Sequence, residues 1–225
     1  MPLNKQSGNM YSWVTHTWNP IRGKCEHDCY YCYMKSLFGA FDRKVRLEKS
    51  ELKTDLGKDN CIFVGSATDM FGKWVNDQWI LEVLNYCKKF DNTYLFQSKN
   101  PNRFFDFRYD FPQDTILGAT IESNREYSYS KAPSVKNRIE SMKAISSLEV
   151  FDVMISIEPI LDFDLHDFIQ IVREIRPKFV SIGADSKNKA LIEPNPKKIR
   201  SLISEIGQFT DVKIKSNLNR LGVKK

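Results

Sequence analysis

The 225-residue sequence predicts an α/β fold in which a mainly parallel sheet forms a single partial (β/α)6-type, TIM-like barrel. Short apolar, β-branched segments alternate with longer amphipathic segments, which is the pattern of successive βα units. The units repeat at intervals of roughly 25 to 35 residues, and no change in composition indicates a linker. We therefore expect one domain over residues 1–225. A flat, doubly wound sheet stays open as an alternative, because periodicity does not distinguish a closed sheet from an open one.

Seven segments rich in apolar and β-branched residues are predicted to be strands. Each is short and lies between polar segments, as expected of strands in a buried sheet. Because longer amphipathic segments separate them, consecutive strands are expected to run parallel. The predicted strands cover residues 12–18, 61–66, 93–98, 115–121, 151–157, 179–182 and 212–215.

Four amphipathic segments are predicted to be helices, with apolar residues spaced near i, i+3, i+4 and i+7. Their ranges are 77–90, 135–147, 165–175 and 196–208, and shorter helical segments are expected after Cys32 and after Pro101. Asn76 or Asp77 is suited to cap the first helix, and the pair Asn195-Pro196 is suited to open the last.

Composition limits the class of protein. Hydrophobic residues make up 41% and charged residues 28% of the chain, which is typical of a globular domain. The first residues, MPLNKQSGNMYSW, lack the apolar stretch of a signal peptide, and no apolar run is long enough to span a bilayer. We expect a cytoplasmic protein with no membrane association. Five cysteines, an odd number, favour metal or cluster ligation over a disulfide framework.

Positive charge is concentrated at the carboxyl terminus. The formal net charge is 34 − 28 = +6, and from Lys187 onward ten Lys and Arg residues stand against three acidic ones, giving +7 there and −1 elsewhere. Clustered cations favour contact with nucleic acid. Solvated helix faces carry the same residues, so both interpretations stay open.

The chemistry of the sequence centres on Cys25, Cys29 and Cys32, which have the spacing CxxxCxxC. A structural zinc site commonly takes four ligands from two pairs, and the chain has no second cysteine pair. In a 4Fe-4S cluster, three thiolates leave one iron open to another ligand. A zinc or purely structural iron-sulfur site, with His27 as a fourth zinc ligand, is the alternative.

Charged residues accompany the carboxyl ends of six of the seven predicted strands. In a barrel of parallel strands these ends meet at one face, where active sites lie. Each residue singly is equally suited to a solvated or ion-paired role, but six in succession predict one charged pocket. The residues are Asp69, Lys99, Glu122, Glu158, Asp185 and Lys215.

The cysteine spacing resembles that of the radical S-adenosylmethionine superfamily, whose three cysteines lie on the loop after the first barrel strand. An aromatic residue precedes the third cysteine there, and Tyr31 occupies that place. Further segments resemble a subgroup first described from phage genes, whose members share a three-cysteine motif and have no settled function. These are 17–23 (TWNPIRG), Tyr33, 63–71 (FVGSATDMF), 157–159 (IEP) and 182–186 (IGADS).

The resemblance implies a 4Fe-4S cluster on the three cysteines, with S-adenosylmethionine as the ligand of the fourth iron. It implies that the loop after the second strand meets the methionine amino group, although the superfamily's usual GGE is absent here. The end of the fourth strand would meet the ribose, and the backbone of Tyr31 would flank the adenine. The implied cofactor-binding residues are Tyr31, Gly65, Ser66, Asp69, Thr120, Glu122 and Ser123.

The function implied is reductive cleavage of S-adenosylmethionine to a 5′-deoxyadenosyl radical that abstracts hydrogen from a substrate. The candidates for substrate contact are Lys99, Glu158, Asp185 and Lys215. The basic carboxyl terminus and the phage resemblance lean toward a nucleic acid or nucleotide substrate, in repair or modification. The expected partners are an electron donor such as flavodoxin or ferredoxin and a possible protein partner. The alternative is a non-catalytic nucleic-acid-binding protein with a structural metal or iron-sulfur site.

Overall fold

A computed structural model describes residues 3–36 and 43–224, so residues 1–2, 37–42 and 225 of the predicted domain lie outside the described part. The strands are β1 (Asn4–Lys5), β2 (His16–Trp18), β3 (Ile21–Arg22), β4 (Arg46–Leu47), β5 (Cys61–Val64), β6 (Thr93–Ser98), β7 (Thr115–Thr120), β8 (Asp152–Ile157), β9 (Phe179–Ile182) and β10 (Asp211–Ile214). The α-helices are α1 (Asp77–Cys87), α2 (Val135–Ser146), α3 (Leu165–Ile175) and α4 (Pro196–Ile206).

The large sheet has the order β1-β2-β5-β6-β7-β8-β9-β10. All neighbours from β2 to β10 are parallel, and only β1 is antiparallel, at one edge. A doubly wound sheet reverses its strand order at a switch point, whereas here the order follows the sequence throughout. The predicted partial barrel is therefore confirmed. Within the described residues β1 and β10 do not pair, so the sheet is open between them.

All seven predicted parallel strands and all four predicted helices are present, with small differences at their ends. The first strand begins at His16 rather than at residue 12, because the chain turns there, with Val14 donating its backbone N–H to the Tyr11 carbonyl at 3.1 Å. Three helices end one to three residues early, and the segments after Cys32 and Pro101 form 3-10 helices at Tyr33–Ser36 and Pro101–Phe107. Asn76 caps α1, through a side-chain oxygen that accepts from Gln78 N at 2.8 Å.

The sheet has one face covered by helices and one concave face. Alternate residues of each strand pack with the helices in the main core, as in β6, where Tyr94 and Phe96 are fully buried against it. No helix among the described residues is long and apolar enough to cross a membrane.

The amino-terminal segment fills half of the concave face. Tyr11 and Val14 are buried in a second cluster, and Trp13 packs against it. This cluster contains strand residues that alternate with those of the main core: Phe63, Leu95, Ile116, Met154 and Phe179. Beyond these residues, toward the carboxyl ends of β6, β7 and β8, the same face carries the polar side chains of Gln97, Thr120 and Ser156.

The main core predicts a test with two aromatic residues. Phe104 is fully buried, with its ring 4.8 Å from that of Phe71, whereas Tyr109 is 83% exposed. Phe104→Ala should lower the free energy of unfolding by about 3 to 5 kcal/mol, because it removes a buried ring and leaves a cavity. Tyr109→Ala should stay within about 0.5 kcal/mol of wild type. Urea unfolding followed by circular dichroism measures both, and equal effects of the two substitutions would contradict this core.

Candidate functional site

The loop that carries the three cysteines leaves the sheet after β2, the first parallel strand. Its base is closed by the antiparallel pair β3–β4, in which Ile21 faces Leu47. Gly23 has φ +119°, and a Cβ at this position would lie 2.6 Å from the Lys44 carbonyl oxygen. Only glycine allows the two arms of the loop to approach this closely. The cysteines are thereby held at the carboxyl edge of the sheet.

Cys25, Cys29 and Cys32 lie on successive turns. The carbonyl of Cys25 accepts from Asp28 N at 3.3 Å, and that of Cys29 accepts from Cys32 N at 3.1 Å. All three are free thiols; Cys29 is buried and the other two are partly buried. Burial, with the nearby Asp69 carboxylate, raises the pKa of the Cys25 thiol to about 12. A bound metal supplies the positive charge that turns such a thiol into a thiolate.

A buried carboxylate, Asp69, ties this loop to the sheet. Its Oδ2 lies 2.8 Å from His27 Nε2, and the His27 ring packs edge-on against Trp74, with centroids 4.8 Å apart. Asp69 also accepts from the Ser98 hydroxyl at 2.9 Å and from Lys99 N at 2.8 Å, both at the end of β6. Burial favours the neutral acid, but the His27 hydrogen bond and the other donors outweigh it and lower the pKa of Asp69. Because these donors already occupy its oxygens, Asp69 holds its neighbours in position and does not bind a ligand directly.

A second buried carboxylate, Glu122, follows β7 and gathers the cations around it. It is hydrogen-bonded to the Tyr31 hydroxyl and to Lys99 Nζ, and its other oxygen lies 2.6 Å from an Arg138 guanidinium nitrogen. Lys99 Nζ also lies 2.8 Å from the Tyr31 hydroxyl oxygen. Burial alone would raise the pKa of Glu122, but Lys99 and Arg138 hold it well below its ordinary value. Tyr31 is thus fixed beside two of the predicted charges.

A third group lies at the ends of β8 and β10. Glu158 Oε2 is 2.7 Å from Lys215 Nζ, and its Oε1 accepts from the Asn9 amide at 2.9 Å and the Asn217 amide at 3.2 Å. A Cβ at Gly183 would lie 2.9 Å from the Glu158 carboxylate, so this glycine leaves the room that the pair occupies. Two predicted residues, Glu158 and Lys215, are brought together here.

Tyr11 connects the charged groups across the concave face. Its hydroxyl donates to Gln97 Oε1 at 2.9 Å and lies 2.8 Å from the Ser156 hydroxyl oxygen, and the Gln97 amide nitrogen donates to the Thr120 hydroxyl at 3.0 Å. Lys215 Nζ lies 4.7 Å from the centre of the Tyr11 ring. Burial, followed by the Glu158 charge, raises the pKa of Tyr11, so the phenol stays protonated.

The remaining predicted residues serve the loops that carry them. Gly65 has φ +78°, and the Ser66 hydroxyl lies 3.2 Å from Asn19 Oδ1, while the Ser66 carbonyl accepts from the Tyr33 hydroxyl at 2.9 Å. This loop is therefore bonded to residues on both sides of the three cysteines, Asn19 before them and Tyr33 after them.

Ser123 and Asp185 are turned toward nearby backbone. The Ser123 hydroxyl donates to the Asp162 carbonyl at 2.6 Å. Asp185 is buried and accepts from the backbone N–H of Lys187 at 3.0 Å and from that of Lys189. Of the predicted strand-end charges, Asp185 is thus the one that caps its own loop instead of joining the pocket.

Several residues of the site were missed by sequence reasoning. Arg138 carried a usable signal, because it occupies a buried position on the apolar side of α2. No signal in the sequence marked Asn9 or Asn217, because asparagine is common in loops. His27 was considered only as a zinc ligand.

The order of strands gives the sheet a partial-barrel architecture, with the three-cysteine loop at its carboxyl edge. Solved structures similar in fold to this chain include spore photoproduct lyase and Streptococcus suis SuiB. The chain belongs to the family described as "Protein of unknown function (DUF5131)", whose model matches residues 9–191. The matched region includes the cysteine loop and every strand from β2 to β9.

One similar structure is a spore photoproduct lyase mutant with bound AdoMet and dinucleoside spore photoproduct; the TM-score is 0.58 at 10% identity, covering 92% of this chain and 66% of that one. Another mutant of the lyase gives 0.65 at 9% identity, covering 94% and 80%. Streptococcus suis SuiB bound to S-adenosylmethionine gives 0.56 at 11% identity, covering 88% and 49%. A search of the curated proteins gave no match. These likenesses confirm the fold, and membership of the phage-associated subgroup stays a prediction.

The Asp69 anchor predicts how the loop responds to its loss. In the metal-free protein, Asp69→Ala should raise the alkylation rate of the buried Cys29 thiol by roughly tenfold or more, because His27 and the Ser98 hydroxyl lose their acceptor. Mass spectrometry after timed iodoacetamide labelling reads this site by site. The exposed Asp106→Ala is the matched control and should react at the wild-type rate. An unchanged rate in Asp69→Ala would show that the loop is held by other contacts.

The Glu122 group predicts a pH dependence. Glu122→Gln leaves Lys99 and Arg138 buried without their anion and should lower the free energy of unfolding at pH 7 by about 3 to 5 kcal/mol. Because the folded pKa of Glu122 is lowered, its contribution is complete above the unfolded value of about 4.3 and is lost as the pH falls toward the folded value. The difference between wild type and Glu122→Gln should therefore shrink below about pH 4. Urea titrations across pH measure it, and exposed Glu205→Gln should show no such difference.

Proposed function

We propose that this chain is a radical S-adenosylmethionine enzyme in which Cys25, Cys29 and Cys32 hold a 4Fe-4S cluster. The observation that carries the proposal is the set of three thiols, placed at the carboxyl edge of a partial barrel that is similar in fold to two structures with bound AdoMet. Three protein thiolates leave one iron for the cofactor.

The donor set fits a cluster better than a single metal ion. Among residues 3–36 and 43–224, no group of three or more His, Cys, Asp or Glu side chains converges to hold one ion. In a cubane the three thiolates converge on one cluster, but each binds a different iron, so their sulfurs lie farther apart than the ligands of one ion. His27, the candidate fourth zinc ligand, instead makes a 2.8 Å contact with Asp69. The donor chemistry therefore supports the cluster over zinc.

When bound, the cluster supplies the electron that cleaves S-adenosylmethionine to methionine and a 5′-deoxyadenosyl radical, which takes a hydrogen atom from the substrate. The chain's own residues prepare the surroundings. Lys99 and Arg138 with Glu122 leave one net positive charge beside the loop. For Cys29, burial raises the pKa of the thiol most; the Lys99 charge opposes that effect and the Glu122 charge adds to it. Lys99 therefore favours the thiolate form of Cys29.

We assign the cofactor to the polar half of the concave face. Thr120 and Glu122 at the end of β7 carry the oxygen atoms suited to ribose hydroxyls, and Gly65 with Ser66 present backbone groups for the methionine end. Tyr31 flanks them. Asp69 and Ser123 support this surface from behind, through the contacts described above.

We assign substrate contact to Glu158 and Lys215, the paired charges at the ends of β8 and β10. Lys99 is a third candidate, because its pairing with Glu122 is like that of Lys215 with Glu158. Asp185 accepts from its own loop, so we assign it to positioning that loop. The reaction needs single electrons from a carrier such as flavodoxin or ferredoxin. One structure similar in fold is SuiB bound to precursor peptide SuiA. A peptide or protein is therefore a candidate partner in addition to the electron carrier.

The test is anaerobic reconstitution with iron and sulfide. The wild-type protein should hold about four irons and four sulfides per chain, and should form 5′-deoxyadenosine when dithionite and S-adenosylmethionine are added. Cys29→Ala should lose the cluster and the product. Cys61→Ala is the matched control and should retain both, since Cys61 lies outside the loop.

The metal content of the purified protein distinguishes the proposed enzyme from the alternative, a non-catalytic binding module. One zinc per chain after purification would favour a non-catalytic binding module with a structural metal. An intact cluster that produces no 5′-deoxyadenosine would contradict the proposed enzyme.

A further inference from the structure

Three tyrosines form a stack at the rim of the cysteine loop. The rings of Tyr127 and Tyr129 have centroids 5.7 Å apart and planes 14° apart, and those of Tyr129 and Tyr30 are 6.2 Å and 25° apart. Tyr30 is the outermost member and is 53% exposed. An exposed aromatic ring at the end of a parallel stack is a surface onto which a further flat ring can be added. We call Tyr30, Tyr129 and Tyr127 the tyrosine stack.

Backbone contacts hold the tyrosine stack in place. Tyr30 N donates to the Tyr129 carbonyl at 2.7 Å, and Lys131 N donates to the His27 carbonyl at 2.6 Å. The Tyr127 hydroxyl donates to the Asp162 carbonyl at 2.8 Å. These bonds join the loop after β7 to the cysteine loop, so the tyrosine stack is attached to the loop that carries the cysteines.

A lysine lies over the exposed ring. Lys189 Nζ is 6.0 Å from the centre of the Tyr30 ring, whereas Lys131, two residues after Tyr129, is paired with Asp28 at 3.1 Å. Lys187 and Lys189 are both exposed, and the buried Asp185 fixes their loop through two backbone N–H groups. In the part of the chain that the structure describes, neither Lys187 nor Lys189 pairs with an acidic side chain. The ring is therefore accompanied by cations available to an anionic ligand.

We propose that the tyrosine stack and these lysines bind a single-stranded nucleic acid, with an unpaired base stacked on Tyr30 and phosphates near Lys187 and Lys189. Aromatic rings with interspersed cations are the combination that binds single strands without reading their sequence. An apolar protein partner would gain from Tyr30 but not from the lysines. A base paired in a duplex has no free face to stack, so duplex should bind more weakly.

This inference rests on the proposed function only for its purpose, which is to bring a strand to the edge of the cofactor site. Binding of a strand to the tyrosine stack does not depend on cleavage of S-adenosylmethionine. The tyrosine stack begins one residue from Cys29, whereas Tyr31, the next residue, turns inward to Glu122. A strand held on Tyr30 would therefore lie against the loop that carries the proposed cluster.

The test is fluorescence anisotropy with labelled single-stranded DNA and RNA oligonucleotides at moderate salt, using the reconstituted protein. Tyr30→Leu should weaken binding by roughly tenfold or more, because base stacking is lost, whereas Tyr30→Phe should keep near wild-type affinity. Tyr109→Leu is the matched control: Tyr109 is 83% exposed and has an Arg108 guanidinium 4.4 Å from its ring, but it lies before β7, at the other end of the sheet. It should bind like wild type.

An oligonucleotide with the same phosphates but no bases separates stacking from charge attraction. It should bind wild type more weakly than the normal strand and should not distinguish wild type from Tyr30→Leu. Equal affinity of wild type for both strands, or no binding to either, would overturn the inference.

Two further measurements separate a failure of this inference from other failures. The thermal unfolding temperatures of Tyr30→Leu and wild type should agree, because the ring is exposed. The same wild-type preparation is assayed for 5′-deoxyadenosine. Product without strand binding overturns the inference alone, and strand binding that depends on Tyr30 without product overturns only the proposed function.

Discussion

The placement of the cysteine loop depends on one buried carboxylate. The loop has little regular secondary structure of its own, so side chains share with a few backbone contacts the task of fixing its position relative to the sheet. Asp69 supplies this by accepting from His27 on one side and from Ser98 and Lys99 N on the other. A buried carboxylate is stable only when its oxygens are satisfied, and here the donors that satisfy it come from the two parts that must be aligned. The same contacts that keep Asp69 charged therefore fix the cysteines over the ends of β5 and β6.

The concave face shows how the chain makes room for charged chemistry inside a small barrel. Tyr11, Trp13 and Val14 fill the amino-terminal half with apolar contacts. The other half carries charges in opposite pairs, such as Glu158 with Lys215, so that each member of a pair has its charge balanced. Tyr11 spans the boundary, with its ring in the apolar cluster and its hydroxyl in the polar network.

Much of the fold followed from the sequence, because each parallel strand is a short apolar run separated by an amphipathic helix. The meeting of Asp69, Lys99 and Glu122 at one edge followed as well, since parallel strands bring their carboxyl ends together. The choice of partners did not follow. Pairing is set by side-chain direction after the strand ends, and so Asp185 caps its own loop while Glu122 recruits Arg138 from a helix.

Part of the positive charge of the carboxyl-terminal region is paired with acidic side chains in the folded protein. The sequence places +7 there, yet four of its cations are taken up by acidic partners: Lys198 by Asp162, Lys213 by Asp211, Lys215 by Glu158 and Arg220 by Glu193. Net charge along a chain does not measure the charge that a ligand meets. A cation that is already paired with a carboxylate attracts an external anion less than an unpaired cation does.

Two of the cations that have no acidic partner among the described residues are Lys187 and Lys189, and Lys189 Nζ lies 6.0 Å from the centre of the exposed Tyr30 ring. Two adjacent tyrosines thus divide the loop between an interior and a surface. Tyr31 enters the charged network behind the cysteines, and Tyr30 points away from it onto the tyrosine stack. This opposition follows from local geometry, since neighbouring residues on tight turns direct their side chains apart. The opposite directions of Tyr30 and Tyr31 suit a loop that, on the two proposals above, holds a cofactor on one side and a nucleic-acid strand on the other. The spacing of the three cysteines does not by itself set these directions.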